Sequence, residues 1–304
     1  MYIFKIAWRV ALFGIYGFRN FTTQSFMEHS KKFEEQDMEI RMEGKNCVVT
    51  GANSGIGFAT AAGLASRGAT VRLVCRNQER GEAALSRIKS STGNPNVFLE
   101  ICDLSSMNDI KSFASRISSR DEPIHVLVNN AGLVNNDRVI TPEGVDASIV
   151  EEGGPDARVI TVSSGGMYSA PLPKDFQSDE RNFNGALQYA RDKRLQVALT
   201  ERWAELHGEE GIGFYSMHPG WADTPGVATS LPGFRQRLTG KLRTTEEGAD
   251  TVIWLALQPK EKLTSGAFYF DRAEAPKHLP LAGTAGSHAN IVSLVESLRS
   301  LSNL

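Results

Sequence analysis

Ser164, Tyr189 and Lys193 are the three side chains here that could together move a proton beside a reacting oxygen. Tyr189 and Lys193 stand in the run YARDK, so on a helix they share one face, one turn apart. A free phenol titrates near ~10 and is a poor acid or base at neutral pH, and a nearby cation would bring it toward the working range. Of the six tyrosines only Tyr189 has a lysine at this offset. The pair gains weight from Ser164, which closes the strand-like run VITVSS upstream of it.

A second group of residues could hold a dinucleotide. In TGANSGIG, Gly51 permits a tight turn, Gly55 lets backbone approach a diphosphate, and Gly57 allows close helix–strand packing. Asn53, Ser54 and Ile56 fill the run, which would open a helix whose free N–H groups and dipole favour phosphate. The spacing is GxxxGxG rather than the commoner GxGxxG. Arg76 follows the next strand where an acid would otherwise meet ribose hydroxyls, which favours NADP(H) over NAD(H). A solvated arginine is the simpler alternative, but it leaves the missing acid unexplained.

Asp103, next to Leu104 in CDLSS, could accept a hydrogen bond from an adenine amino group or cap the following helix. Asn130, Ala131 and Gly132 could form a cofactor wall or a plain turn. Pro219 and Gly220 would shape a backbone edge for a nicotinamide carboxamide, and Thr224 could bond the carboxamide or phosphates. His218 reads as structural, and residues 227–242 read as a lid.

These residues need strands and helices to place them, and the pattern supplies an alternation. Strands are predicted at 47–50, 70–75, 97–101, 124–128, 158–162, 212–216 and 267–270. Helices are predicted to about 67, then over 78–89, 107–120 and 185–207, and from a capping box at Thr244 and Glu247 through 257. Repeated β–α units imply a single α/β domain, a Rossmann-like doubly wound parallel sheet with helices on both faces. Residues 1–44 would be an N-terminal helix and connector, 45–272 the catalytic domain, and 273–304 a C-terminal extension.

Bulk composition narrows the partners. With 304 residues, 41% hydrophobic and 22% charged, the chain is long enough for a sizeable core. A net charge of −2 offers no basic field for nucleic acid. Cys47, Cys75 and Cys102 form no CxxC pair and should pack as small apolar groups, so no metal site is expected. The N-terminus MYIFKIAWRVALFGIYGFRN has no acid before Glu28, and its uncharged run from Val10 to Phe18 is too short to span a bilayer. It suits a helix on a membrane surface through residues 2–19, a targeting segment (mitochondrial among them), or a helix packed on its own domain. Cytoplasmic and peripheral membrane locations both fit.

TGANSGIG, CDLSS, NNAG, VSS, YARDK and HPGWADTP, in this order over residues 45–272, resemble the short-chain dehydrogenase/reductase family, and within it the retinol-dehydrogenase branch. The resemblance implies NADP(H)-dependent interconversion of a carbonyl and an alcohol on a small molecule. It implies that Tyr189 exchanges the proton and that Lys193 lowers its pKa and holds the nicotinamide ribose. Ser164 would bond the substrate oxygen. The basic, apolar run LPGFRQRLTGKLR is compatible with a lipid-like substrate.

One segment departs from the family. It would carry an asparagine on the helix between strands four and five, but no asparagine lies between Asn136 and Asn182. A parallel crossover needs about a dozen residues, and Gly153, Gly154 and Pro155 leave Val145–Glu152, about 12 Å of helix. A bare sheet face and a weakened protein are therefore expected, unless another segment, such as the N-terminal helix, covers the gap. The resemblance, in which that helix helps build the homodimer interface, implies a shortened one. Three functions compete: an active reductase, an impaired relative acting by binding, and, more distantly, a nucleotide-sugar epimerase.

Overall fold

A computed structural model describes residues 2–120, 122–132, 157–173 and 183–302. Eight strands form one sheet in the order β3-β2-β1-β4-β5-β6-β7-β8. They are β1 Asn46–Thr50, β2 Thr70–Cys75, β3 Val97–Ile101, β4 Val126–Asn129, β5 Arg158–Val162, β6 Gly213–Met217, β7 Phe268–Phe270 and β8 Ala273–Glu274. Every neighbouring pair is parallel except β7 with β8. Strand order turns back at β1 and β4, which opens a crevice at the carboxyl ends of those strands.

The helices are α1 Tyr2–Asn20, α2 Thr23–Ser30, α3 Gly55–Ala65, α4 Gln78–Thr92 and α5 Met107–Ser118. They continue with α6 Gly185–Leu206, α7 Pro225–Ser230, α8 Pro232–Arg237, α9 Thr245–Leu257 and α10 His288–Ser302. Short polar side chains start several of them: Asn77, Ser106 and Asn184 each accept from a first-turn backbone N–H. Thr244 and Glu247 close the full capping box of α9.

Alternation along the strands splits the core. Cys47, Val49, Val71, Leu73, Val128 and Ile160 pack with α3 and α9 on one face. Val48, Val74, Leu127, Val159 and Phe214 pack on the other, with residues of α5, α6 and α10. All three cysteines are buried thiols.

The short crossover, residues 145–156, lies outside the described residues. The bare sheet face expected from it is not found on the strands beside it. Leu127, Val159 and Phe214 are 8%, 2% and 5% exposed. The N-terminal helix is not in that cluster. The C-terminal helix is: Leu294 and Val295 of α10 join Leu195, Leu199 and Trp203 of α6 there.

The N-terminal helices pack instead near the carboxyl end of the sheet. Leu12, Phe13, Tyr16 and the fully buried Phe21 join a third cluster with Met167, Tyr168, Phe268 and Phe270. Arg9 turns inward, donating to the carbonyls of Ala282 and Gly283 at 2.8 and 2.9 Å. Phe4, Trp8, Val10, Ile15 and Phe18 are exposed. Among the described residues no helix is long and apolar enough to cross a membrane.

Candidate active site

The glycine turn leaves β1 at Thr50 and enters α3 at Gly55. Gly51 and Gly55 have φ of 64° and 59°, the left-handed region where a side chain would be strained. The N-cap of α3 is Ser54, whose hydroxyl makes no capping bond, so the first-turn N–H groups have no side-chain acceptor. Cys75 backs the turn: the N–H groups of Ala52 and Asn53 point at its sulfur, and burial pushes the thiol up to about 11. Ile56 lies against Gly248 of α9, so its side chain packs and only its backbone faces the turn.

The turn is locked to NNAG. Thr50 Oγ1 accepts from the N–H groups of Asn130 and Ala131, both at 3.0 Å, and donates to Val128 O at 3.2 Å. Asn130 Nδ2 donates to Thr50 O at 2.8 Å. Gly132 passes beside Lys193: a Cβ placed there would sit 3.4 Å from Nζ. Across the crevice, Thr224 caps α7 by accepting from Val227 N, and it faces Gly55.

Arg76 is exposed at the end of β2. Asp103 Oδ1 accepts from Ser105 N and Oγ at 3.0 and 2.8 Å. Those two bonds, with a smaller contribution from Arg76, hold its carboxyl below the usual range. Ser106, not Asp103, caps α5. Leu104 packs against the second core cluster.

The proton-moving residues meet at the end of β5. Ser164 Oγ accepts from Gly166 N at 3.1 Å and lies beside the Tyr189 phenol. Lys193 Nζ lies 5.6 Å from the centre of the Tyr189 ring. The ammonium donates to Val162 O at 2.9 Å and to Gln196 Oε1 at 3.0 Å. Burial lowers Lys193 to about 8, with Asp192 opposing. The lowered phenol pKa expected from the sequence is reversed here. Tyr189 is raised, chiefly by burial, with Ser164 opposing. The cation that should lower it is turned toward a carbonyl and an amide.

His218 is buried and stacks on Phe270 with centroids 4.0 Å apart, and burial drives its pKa well below the ordinary value. Its Nδ1 accepts from Gly220 N at 3.1 Å, so it shapes the Pro219–Gly220 corner as a neutral ring.

A profile for short chain dehydrogenase matches residues 45–150. Dehydrogenase/reductase SDR family member 12 of Bos taurus is 43% identical over 314 aligned positions, covering 97% of this chain and 98% of that protein. This chain belongs to the short-chain dehydrogenase/reductase family. Human retinol dehydrogenase 12 is 32% identical, over 76% of this chain and 79% of its own. A crystal structure of a dehydrogenase/reductase from Sinorhizobium meliloti 1021 aligns with TM-score 0.59 and 26% identity, over 78% of this chain and 96% of its own. The bovine alignment is longer than the 304 residues of this chain, so it opens gaps on this side.

As a member of the family the chain is an oxidoreductase that uses a nicotinamide cofactor on a small molecule. The residues fit that cofactor: Gly51 and Gly55 leave their left-handed positions free of side chains, and the start of α3 offers uncapped N–H donors. Gln196 is the site residue that motif reading missed. Its i+3 offset from Lys193 on a helix is the signal that could have found it.

Proposed function

We propose that this short-chain dehydrogenase/reductase reduces a carbonyl group on an apolar, lipid-like molecule with NADPH. The observation that carries the reading is the meeting of Ser164, Tyr189 and Lys193 at the end of β5, with the Lys193 ammonium 5.6 Å from the centre of the phenol ring and Ser164 Oγ beside the same ring at Gly166. Burial keeps this phenol in the protonated form that reduction consumes, and makes it a weaker acid that depends on Lys193 to stabilise the phenolate. The bound cofactor supplies the hydride that the carbonyl carbon accepts. Tyr189 gives its proton to the carbonyl oxygen, while the Ser164 hydroxyl donates to that oxygen as negative charge develops there. Lys193 holds the nicotinamide ribose and favours the charge that Tyr189 leaves behind.

The cofactor would lie along Gly51, Asn53, Ser54, Gly55, Ile56 and Gly57, with Asp103 and Leu104 at the adenine. Asn130, Ala131, Gly132, Pro219, Gly220 and Thr224 would line its nicotinamide half. Preference for NADP(H) is supported by the exposed Arg76 and by the lack of an acid at the end of β2. Residues 45–272 would be the catalytic unit. The exposed apolar residues of α1, with Lys5 and Arg19 and no acid before Glu28, fit peripheral contact with a membrane surface.

Purified protein mixed with NADPH and a panel of aldehydes and ketones tests the reading. Turnover is expected, and Tyr189→Phe should lower it ~10²–10⁴-fold. Tight NADPH binding with no turnover on any carbonyl would favour the second reading, an impaired relative that acts by binding. Lys193 bonded to Val162 O and the missing family asparagine support that second reading.

A further inference from the structure

We infer that Arg243, together with residues 20–29, is a positioning element for the Pro219–Thr224 loop, so that the N-terminal segment is part of the catalytic scaffold. The inference rests on the reading that this loop seats the nicotinamide end of the cofactor.

Arg243 is 1% exposed, and every arm of its guanidinium is held. It grips Asp271 with Nη1 to Oδ1 at 2.6 Å and Nη2 to Oδ2 at 2.8 Å. Nη2 also donates to Asn20 O at 3.0 Å and Nε to Thr22 O at 3.3 Å, both at the junction of α1 and α2. Nη1 reaches Pro219 O at 3.5 Å. The rings of Phe26 and Phe270 lie 5.1 and 4.8 Å from its carbon. His29 Nδ1 meets the same Asp271 at 2.6 Å.

The backbone follows the side chain. Arg243 N donates to Trp221 O, and Asp223 N donates back to Arg243 O, both at 2.8 Å. Trp221 N donates to Phe21 O at 2.8 Å. A Cβ on Gly220 would lie 2.5–2.7 Å from the Arg243 side chain, so the guanidinium fills the place a side chain would need. Gly220 also has φ 74°. On the opposite wall, Phe21 abuts Gly165, the residue after Ser164, and crosses His218 edge-on at 4.4 Å. Arg243 thus ties the junction of α1 and α2 to the Pro219–Asp223 loop, and Phe21 from the same junction carries the contact to Gly165. A planar fork satisfies these directions at once, and an ammonium would not.

The test compares two ligands on the full-length protein. NADPH occupies the whole site, whereas adenosine 2′,5′-bisphosphate occupies the adenine end alone. Arg243→Lys should weaken NADPH at least tenfold and lower kcat at least tenfold, while leaving bisphosphate affinity within twofold. His29→Ala, on a partly exposed side chain, should show the same pattern at two- to threefold should the arginine variant fail to fold. Equal weakening of both ligands, or unchanged NADPH affinity and kcat, overturns the positioning role. Wild-type protein that binds neither ligand overturns the cofactor reading and this inference with it.

Discussion

Tyr189 and Lys193 share a helical face, and burial pushes their proton affinities in opposite directions, the phenol up and the amine down to about 8. Carbonyl reduction needs the protonated phenol and the charged amine. Its rate should therefore hold below about pH 8 and fall as pH rises through that value, which a pH profile of kcat would show. Gln196 accepts from the charged amine, so Gln196→Leu should move this alkaline limb to lower pH and cut kcat. The folded chain also binds fewer protons at Lys193 than the unfolded chain between about 8 and its ordinary 10.5. Over that window this group's contribution to stability rises with pH.

At the scale of elements, strands β2, β3 and β5 end where alternation and flanking glycines place them, as does α9 with its capping box. Their boundaries are set by neighbouring residues, so a single sequence carries them. The same holds for Ser164 and for Tyr189 with Lys193, because the end of β5 and one face of α6 fix where they point. The direction of the Tyr189 shift was not legible, because it depends on which way a long amine turns. Nor were the partners of α10 and α1, which come from sequence far away. Leu294 of α10 is 5% exposed in the cluster that covers the β4–β6 face. Leu294→Ala should cost about 2–5 kcal/mol, measured by chemical denaturation. A helix merely resting on the surface would lose far less.

At the scale of the molecule, α1 presents Phe4, Trp8, Ile15 and Phe18 outward, with Lys241 4.7 Å from the Phe18 ring. Paired substitution Phe4→Glu and Ile15→Glu should abolish flotation with anionic vesicles and leave turnover of a water-soluble carbonyl unchanged. Retained flotation would remove α1 as the contact.

The N-terminal segment finds its partners late in the chain. Arg9 waits for Ala282, His29 for Asp271, and Asn20 for Arg243, separations of 273, 242 and 223 residues. During synthesis, at ~5–20 residues per second, an apolar helix leaves the ribosome many seconds before any of its docking residues exist. Throughout that interval its apolar side chains have only solvent, a chaperone or a lipid surface to meet. Residues 2–29 are therefore made long before they can finish folding, and the nascent chain depends on what shelters them.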